Sequence, residues 1–246
     1  MLRRIIGTGL FLAMLLLTAC GGDDQSGGEE GLAVSGQLSA VEVYARMEQA
    51  MTLPGQVFHT TIQISQEAGL LSYEGESELW ASTIQGLARQ ISELTYVGGE
   101  TSRQETVLGD GMIYGPPVRG ISPAIHTPPR CPDAGVIVSI TIACPRFDRA
   151  GDTSVEAVQY EGVAAVELAT EVAWSGSDER FEVTRRLYLD AVTFLPIALH
   201  FDGTVDYGAV MATSARWTYE NDFLRRDSLE DDFFDPASIG YVEPVA

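Results

Sequence analysis

The chain has no lysine: all fifteen basic residues are arginine. A Walker-type phosphate loop, which needs a lysine beside its glycines, is therefore excluded. Histidine is scarce too. His59, His126 and His200 are the only three, and none stands in an HExxH run, so a zinc-protease helix is absent. There is no GxSxG nucleophile elbow and no GxGxxG fingerprint. Positive charge is outnumbered: fifteen bases face thirty-five acids, a formal net charge of −20. A surface this negative repels nucleic acid and anionic lipid headgroups, so neither is an expected partner. The abundant carboxylates carry no catalytic spacing. Glu74, Glu76 and Glu78 alternate along one strand face and read as a solvated edge rather than a glycosidase pair. Glu230, Asp231 and Asp232 lack EF-hand spacing. The expectation is a non-enzyme with no cofactor.

Long apolar runs are missing except at the start. Arg3 and Arg4 precede fifteen residues, Ile5 to Ala19, interrupted only by Gly and Thr. That suits a signal-peptide core and is short for a membrane-spanning helix. It ends Leu17-Thr18-Ala19-Cys20-Gly21, which resembles a lipobox, the site where a cysteine receives lipid and the leader is cut away. Residues 1–19 are thus expected to be a signal peptide and Cys20 the lipidated residue. The Gly-rich acidic stretch over 20–37 should be a flexible tether. The expected location is the extracytoplasmic side of a cell membrane or outer membrane, with the lipid on Cys20 as the anchor. One folded domain is expected over 38–246.

Within that domain, Ser39 and Glu42 have capping-box spacing, and Val43, Met47, Ala50 and Met51 follow at helical period. Pro54-Gly55 should stop this helix. From Phe58 onward the period is two: Phe58, Ile62 and Ile64; Val183, Leu187 and Leu189; Leu195, Ile197, Leu199 and Phe201; Met211, Trp217 and Tyr219 each share a face. Turn signals such as Gly98-Gly99 and Glu161-Gly162 separate the runs. The pattern predicts an antiparallel meander of eight to eleven strands. A weaker helix is expected within 148–160. The wide apolar face must be covered, and one clear helix is too little. Either the face lines a cavity, or it is tightly packed. For a cavity, the expected lining is Phe58, Ile62, Leu79, Leu187, Leu199, Met211 and Trp217.

Seven of the eleven prolines crowd into 116–147. This stretch should be an insertion held off the sheet. It carries Cys131 and Cys144, which in an oxidising compartment are expected to form a disulfide. Residues 136–143 read as an apolar strand. A straight strand would hold the two cysteines about 40 Å apart, so the segment must fold back. Zinc on Cys131, Cys144 and His126 is a weak reading without CxxC spacing.

The order of elements resembles a known family. Arg186-Leu187-Tyr188-Leu189-Asp190, then Phe194-Leu195-Pro196-Ile197-Ala198-Leu199, then Asp232-Phe233-Phe234-Asp235-Pro236 are similar to motifs of the LolA/LolB-like periplasmic lipoprotein-carrier superfamily, which includes LppX-like lipoproteins and RseB N-terminal-like domains. The resemblance covers about residues 38–236. It implies an α+β, mostly β fold: a large curved antiparallel sheet, an unclosed β-barrel, with helices capping its concave face. It also implies a hydrophobic cavity for acyl chains and no catalytic residues. No motif fixes the family's cavity arginine here, though Arg89 falls in the corresponding early strand. The regulator branch leaves a second reading open, an envelope sensor or scaffold that works through a protein partner with a self-filled core.

Overall fold

Ser39 opens the first helix as its spacing predicts. In the computed structural model its hydroxyl accepts from the Glu42 amide, while the Glu42 carboxylate accepts from the Ser39 amide at 2.8 Å. The residues described are 38–68, 72–115, 125–128, 134–142, 150–175, 180–206 and 210–241. The expected signal peptide, Cys20, Cys131 and Cys144 all lie outside them, and so does the expected disulfide. Helix α1 spans Ala40–Ala50 and buries Val43, Tyr44 and Met47.

The strands follow as β1 (Gln56–Glu67), β2 (Tyr73–Ser82), β3 (Leu87–Tyr96), β4 (Thr101–Gly109), β5 (Met112–Tyr114) and β6 (Ile125–His126). Helix α2 (Val136–Thr141) intervenes. Then come β7 (Ala150–Tyr160), β8 (Val163–Ser175), β9 (Arg180–Asp190), β10 (Pro196–Asp206) and β11 (Val210–Arg225). The eleven strands make one antiparallel sheet in the order β6-β5-β4-β3-β2-β1-β11-β10-β9-β8-β7. The sheet is curved and mostly β, and it does not close into a barrel: β6 and β7 are its two edges. Both ends of the meander meet at its centre, where β1 pairs with β11 from Gln56↔Arg225 to Glu67↔Ser214.

This order corrects two expectations. Residues 150–160 form strand β7 rather than a helix. From Thr153 to Tyr160 they pair regularly with β8, and cross-strand pairing outweighs a faint helical period. Residues 136–141 form a helix, not a strand. They lie between β6 on one edge and β7 on the other, with no strand beside them to complete a ladder. A helix satisfies its own amides and carbonyls instead. Its burial on several sides (Ile137, Val138, Ser139 and Thr141) explains a run that is apolar almost throughout.

One sheet face, the inner, carries α1 and α2 and holds the main core: Val43, Met47, Phe58, Ile62, Leu79, Ile137, Val138, Leu168, Leu187, Leu189 and Leu199. The outer face is partly covered by the C-terminal segment. There Phe233 packs edge-on against Trp80 at 5.4 Å, and Arg89 lies 4.6 Å over the Phe233 ring.

Candidate functional site

Strand alternation sends Leu168, Leu187, Leu199, Trp217 and Ile64 to the inner face of five consecutive strands. They are direct cross-strand neighbours, Leu168↔Leu187, Leu187↔Leu199, Leu199↔Trp217 and Trp217↔Ile64. A continuous apolar row thus crosses β8, β9, β10, β11 and β1. Phe58, Ile62 and Leu79 lie on the same face toward α1, in one cluster with Val43, Met47 and the α2 residues. Of the seven expected lining residues, Phe58, Ile62, Leu79, Leu187 and Leu199 are each 2% exposed or less. Trp217 is partly buried and meets Phe201 edge-on at 6.0 Å. Met211 belongs to β11, but its side chain is outside the described residues. The six whose side chains are described share the face that carries the two helices.

The row beside this one holds a residue that the apolar pattern does not announce. Arg185 follows the parity of Val183, Leu187 and Leu189, points inward, and is only 2% exposed. Its register partners are Thr170 on β8 and Phe201 on β10. Its Nη2 donates to the carbonyl of Ile142 at 2.8 Å, and its Nε has no partner. Among the described residues no carboxylate pairs with it. Burial lowers its affinity for the proton, while the nearby Tyr44 and Tyr219 phenols act the other way. Tyr219, also buried, donates its hydroxyl to the Thr141 carbonyl at 3.2 Å. Burial raises the Tyr219 phenol, so it remains a neutral donor at ordinary pH. Two sheet side chains thus hold the last carbonyls of α2, the partially negative end of that helix. Trp217 Nε1 is a second buried donor on this face with no acceptor. Parity along β9 was the available signal: an arginine at an inward position.

Arg89, which lies on early strand β3 but which no motif marks as a cavity arginine, is elsewhere. It sits on the outer face, paired with Glu105 and donating to the Phe233 carbonyl at 3.0 Å. It ties down the C-terminal segment. His59 stacks on Trp80 at 5.0 Å, and His200 is 3.1 Å from the Tyr160 hydroxyl, both on the outer face. His200 holds its proton less well than usual because of burial, aided by Arg216. Among the described residues no three His, Cys, Asp or Glu side chains gather closely enough to hold a metal ion. Among the same residues no helix is long and apolar enough to cross a membrane. A hollow lined by Gly55, Arg225, Arg226, Asp227, Leu229 and Asp231 opens at the strand ends, away from the apolar row.

No protein-family model matches the chain, and no curated protein matches it in sequence. Solved structures similar to it include LprF from Mycobacterium bovis, at 11% identity over 75% of this chain and 94% of that one, with a TM-score of 0.37. A LolA superfamily protein from Nitrosomonas europaea is 12% identical over 80% and 97%, with a TM-score of 0.36. An uncharacterized conserved protein from Thermus thermophilus is 17% identical over 78% and 90%, with a TM-score of 0.43.

Proposed function

We propose that this protein is a membrane-anchored extracytoplasmic lipoprotein that takes the acyl chains of a lipid or lipoprotein between its sheet and its helices, without catalysis. Its parts are a signal peptide over 1–19, a lipidated Cys20 on a tether to residue 37, and one domain over 38–246. One observation carries the binding role: among the described residues, the helices on the apolar face of this eleven-stranded sheet are only eleven and six residues long. A six-residue helix is far below the length that holds itself in water, so α2 keeps its shape only while docked. Lifting it costs the contacts of a short segment and uncovers part of the inner face, Arg185 and Tyr219 included. An acyl chain can replace those contacts, because each methylene buried contributes about 0.8 kcal/mol.

The nearly complete burial of Phe58, Ile62, Leu79, Leu187 and Leu199 favours a second reading, an envelope scaffold or sensor with a self-filled core and a protein partner. Native mass spectrometry of the mature protein, gently extracted, separates the two. The carrier reading expects a mass above chain plus anchor lipid, and uptake of a fluorescent fatty acid when that ligand is removed. Repeatedly empty protein that takes up no fatty acid, yet co-purifies with a stoichiometric protein partner, would establish the second reading instead.

A further inference from the structure

Most of the inner face is what an acyl chain requires; Arg185 is not. Burying a guanidinium without an anion is costly, since its hydration is lost and one carbonyl with the Tyr44 phenol returns only part of it. The fork of an arginine presents five N–H donors, and the Nε–Nη edge fits two oxygens of a carboxylate or phosphate side by side. Here that edge is half used: Nη2 holds the Ile142 carbonyl at 2.8 Å, while Nε holds nothing. The acceptor in place is itself at the negative end of a helix, and the Tyr219 hydroxyl donates to the carbonyl one residue earlier. Donors therefore converge on a place that is electronegative but uncharged, occupied by a removable segment of backbone. Trp217 Nε1 adds an unused donor on the same face.

We propose that Arg185 receives an anionic oxygen group, a carboxylate or phosphate joined directly to an acyl chain, when α2 moves aside. This rests on the binding role proposed above and narrows its ligand to anionic amphiphiles. In that state the anion replaces the Ile142 carbonyl and engages Nε as well, while the chain lies along Leu187, Leu199 and Trp217. The net charge of −20 opposes the approach of any anion, so added salt should speed association of the charged ligand.

The experiment titrates the mature protein with a fluorescent polyene fatty acid, with its methyl ester, and with an alkyl phosphate of similar length. Inorganic phosphate and acetate serve as competitors without a chain. The expected result is that acid and alkyl phosphate bind at least tenfold more tightly than the ester, and that the free ions displace neither. Arg185→Met should bring the acid down to the ester's affinity. A buried charge replaced by an apolar side chain of similar volume is often tolerated by the fold. If that variant does not fold, acidification of the native protein gives the same information, because the acid's advantage must vanish as its carboxylate is protonated. Equal binding of acid and ester, or an advantage that survives Arg185→Met or acidification, overturns the role of Arg185 and leaves the carrier reading intact. Displacement by free phosphate would show a simple anion site and also overturn it. Failure of every chain-bearing probe to bind overturns the carrier reading itself.

Discussion

Gly75 on β2 and Gly203 on β10 sit where a neighbouring strand's backbone crowds them. A Cβ on Gly75 would fall 2.0 Å from the Glu93 carbonyl oxygen, and one on Gly203 would fall 2.0 Å from that of Glu182. Backbone atoms cannot swing away as a side-chain tip can, so either strand must shift bodily. Gly75→Ala and Gly203→Ala should each destabilise the fold by about 3 kcal/mol, as overpacking does, read as a lower urea midpoint. A loss below about 0.5 kcal/mol would show that the sheet is softer than its registers imply. At this scale the sequence was legible where a residue followed its strand's pattern. Phe58, Ile62, Leu79, Leu187, Leu199 and Trp217 face inward as alternation requires. Arg185 was not legible by hydropathy, because a pattern of apolar positions passes over the polar exception among them. Only its odd number, shared with Val183 and Leu187, marks it as inward.

The turn between β9 and β10 is built by one carboxylate. Asp190 Oδ1 accepts from the amides of Val192 at 3.0 Å and Thr193 at 2.7 Å, and from the Thr193 hydroxyl at 3.0 Å. Partial burial pushes its pKa up, but these hydrogen bonds outweigh it and leave the group below its usual value. A carboxyl depressed in the folded state adds stability that is complete above the ordinary carboxylate range and is lost as pH falls through the depressed value. Asp190→Ala should therefore cost about 1 kcal/mol near neutrality. The gap between the variant and the native protein should close in strong acid, as followed by denaturation at several pH values; a constant gap would refute this account. Phe194 in the same turn adopts a left-handed φ of 59° while its ring lies 5.0 Å beneath the Arg46 guanidinium of α1. This strained residue joins the turn to the helix. Strands and turns of this kind were readable because local chemistry decides them. Helix α2 was not, since Val136, Ile137, Val138 and Ile140 favour strands when no other information is present. Its state is set by what surrounds it.

The whole molecule is described by where its chain begins and ends in the sheet, and hairpin signals cannot show that. They fix neighbours along the chain, not the pairing of β1 with β11. Beyond the described residues, two predictions follow from the cysteines. Cys20→Ala should release the protein from the membrane fraction, and mass spectrometry should find no acyl groups on it; a variant that stays membrane-bound would overturn the anchor. Alkylation of the unfolded, unreduced mature protein should label no thiol at Cys131 or Cys144, and two labels would exclude the bridge. The central β1–β11 seam has a consequence for biogenesis. Each half of the sheet can assemble from hairpins as it is made, but β1 must wait for β11, whose paired residues lie roughly 150 to 170 positions downstream. Until β11 has been made, the first half keeps one long hydrogen-bonding edge unsatisfied, an open invitation to the wrong strand. Folding of this chain is thus a race between strand β11 and every other extended polypeptide nearby, and truncation before residue 210 forfeits it.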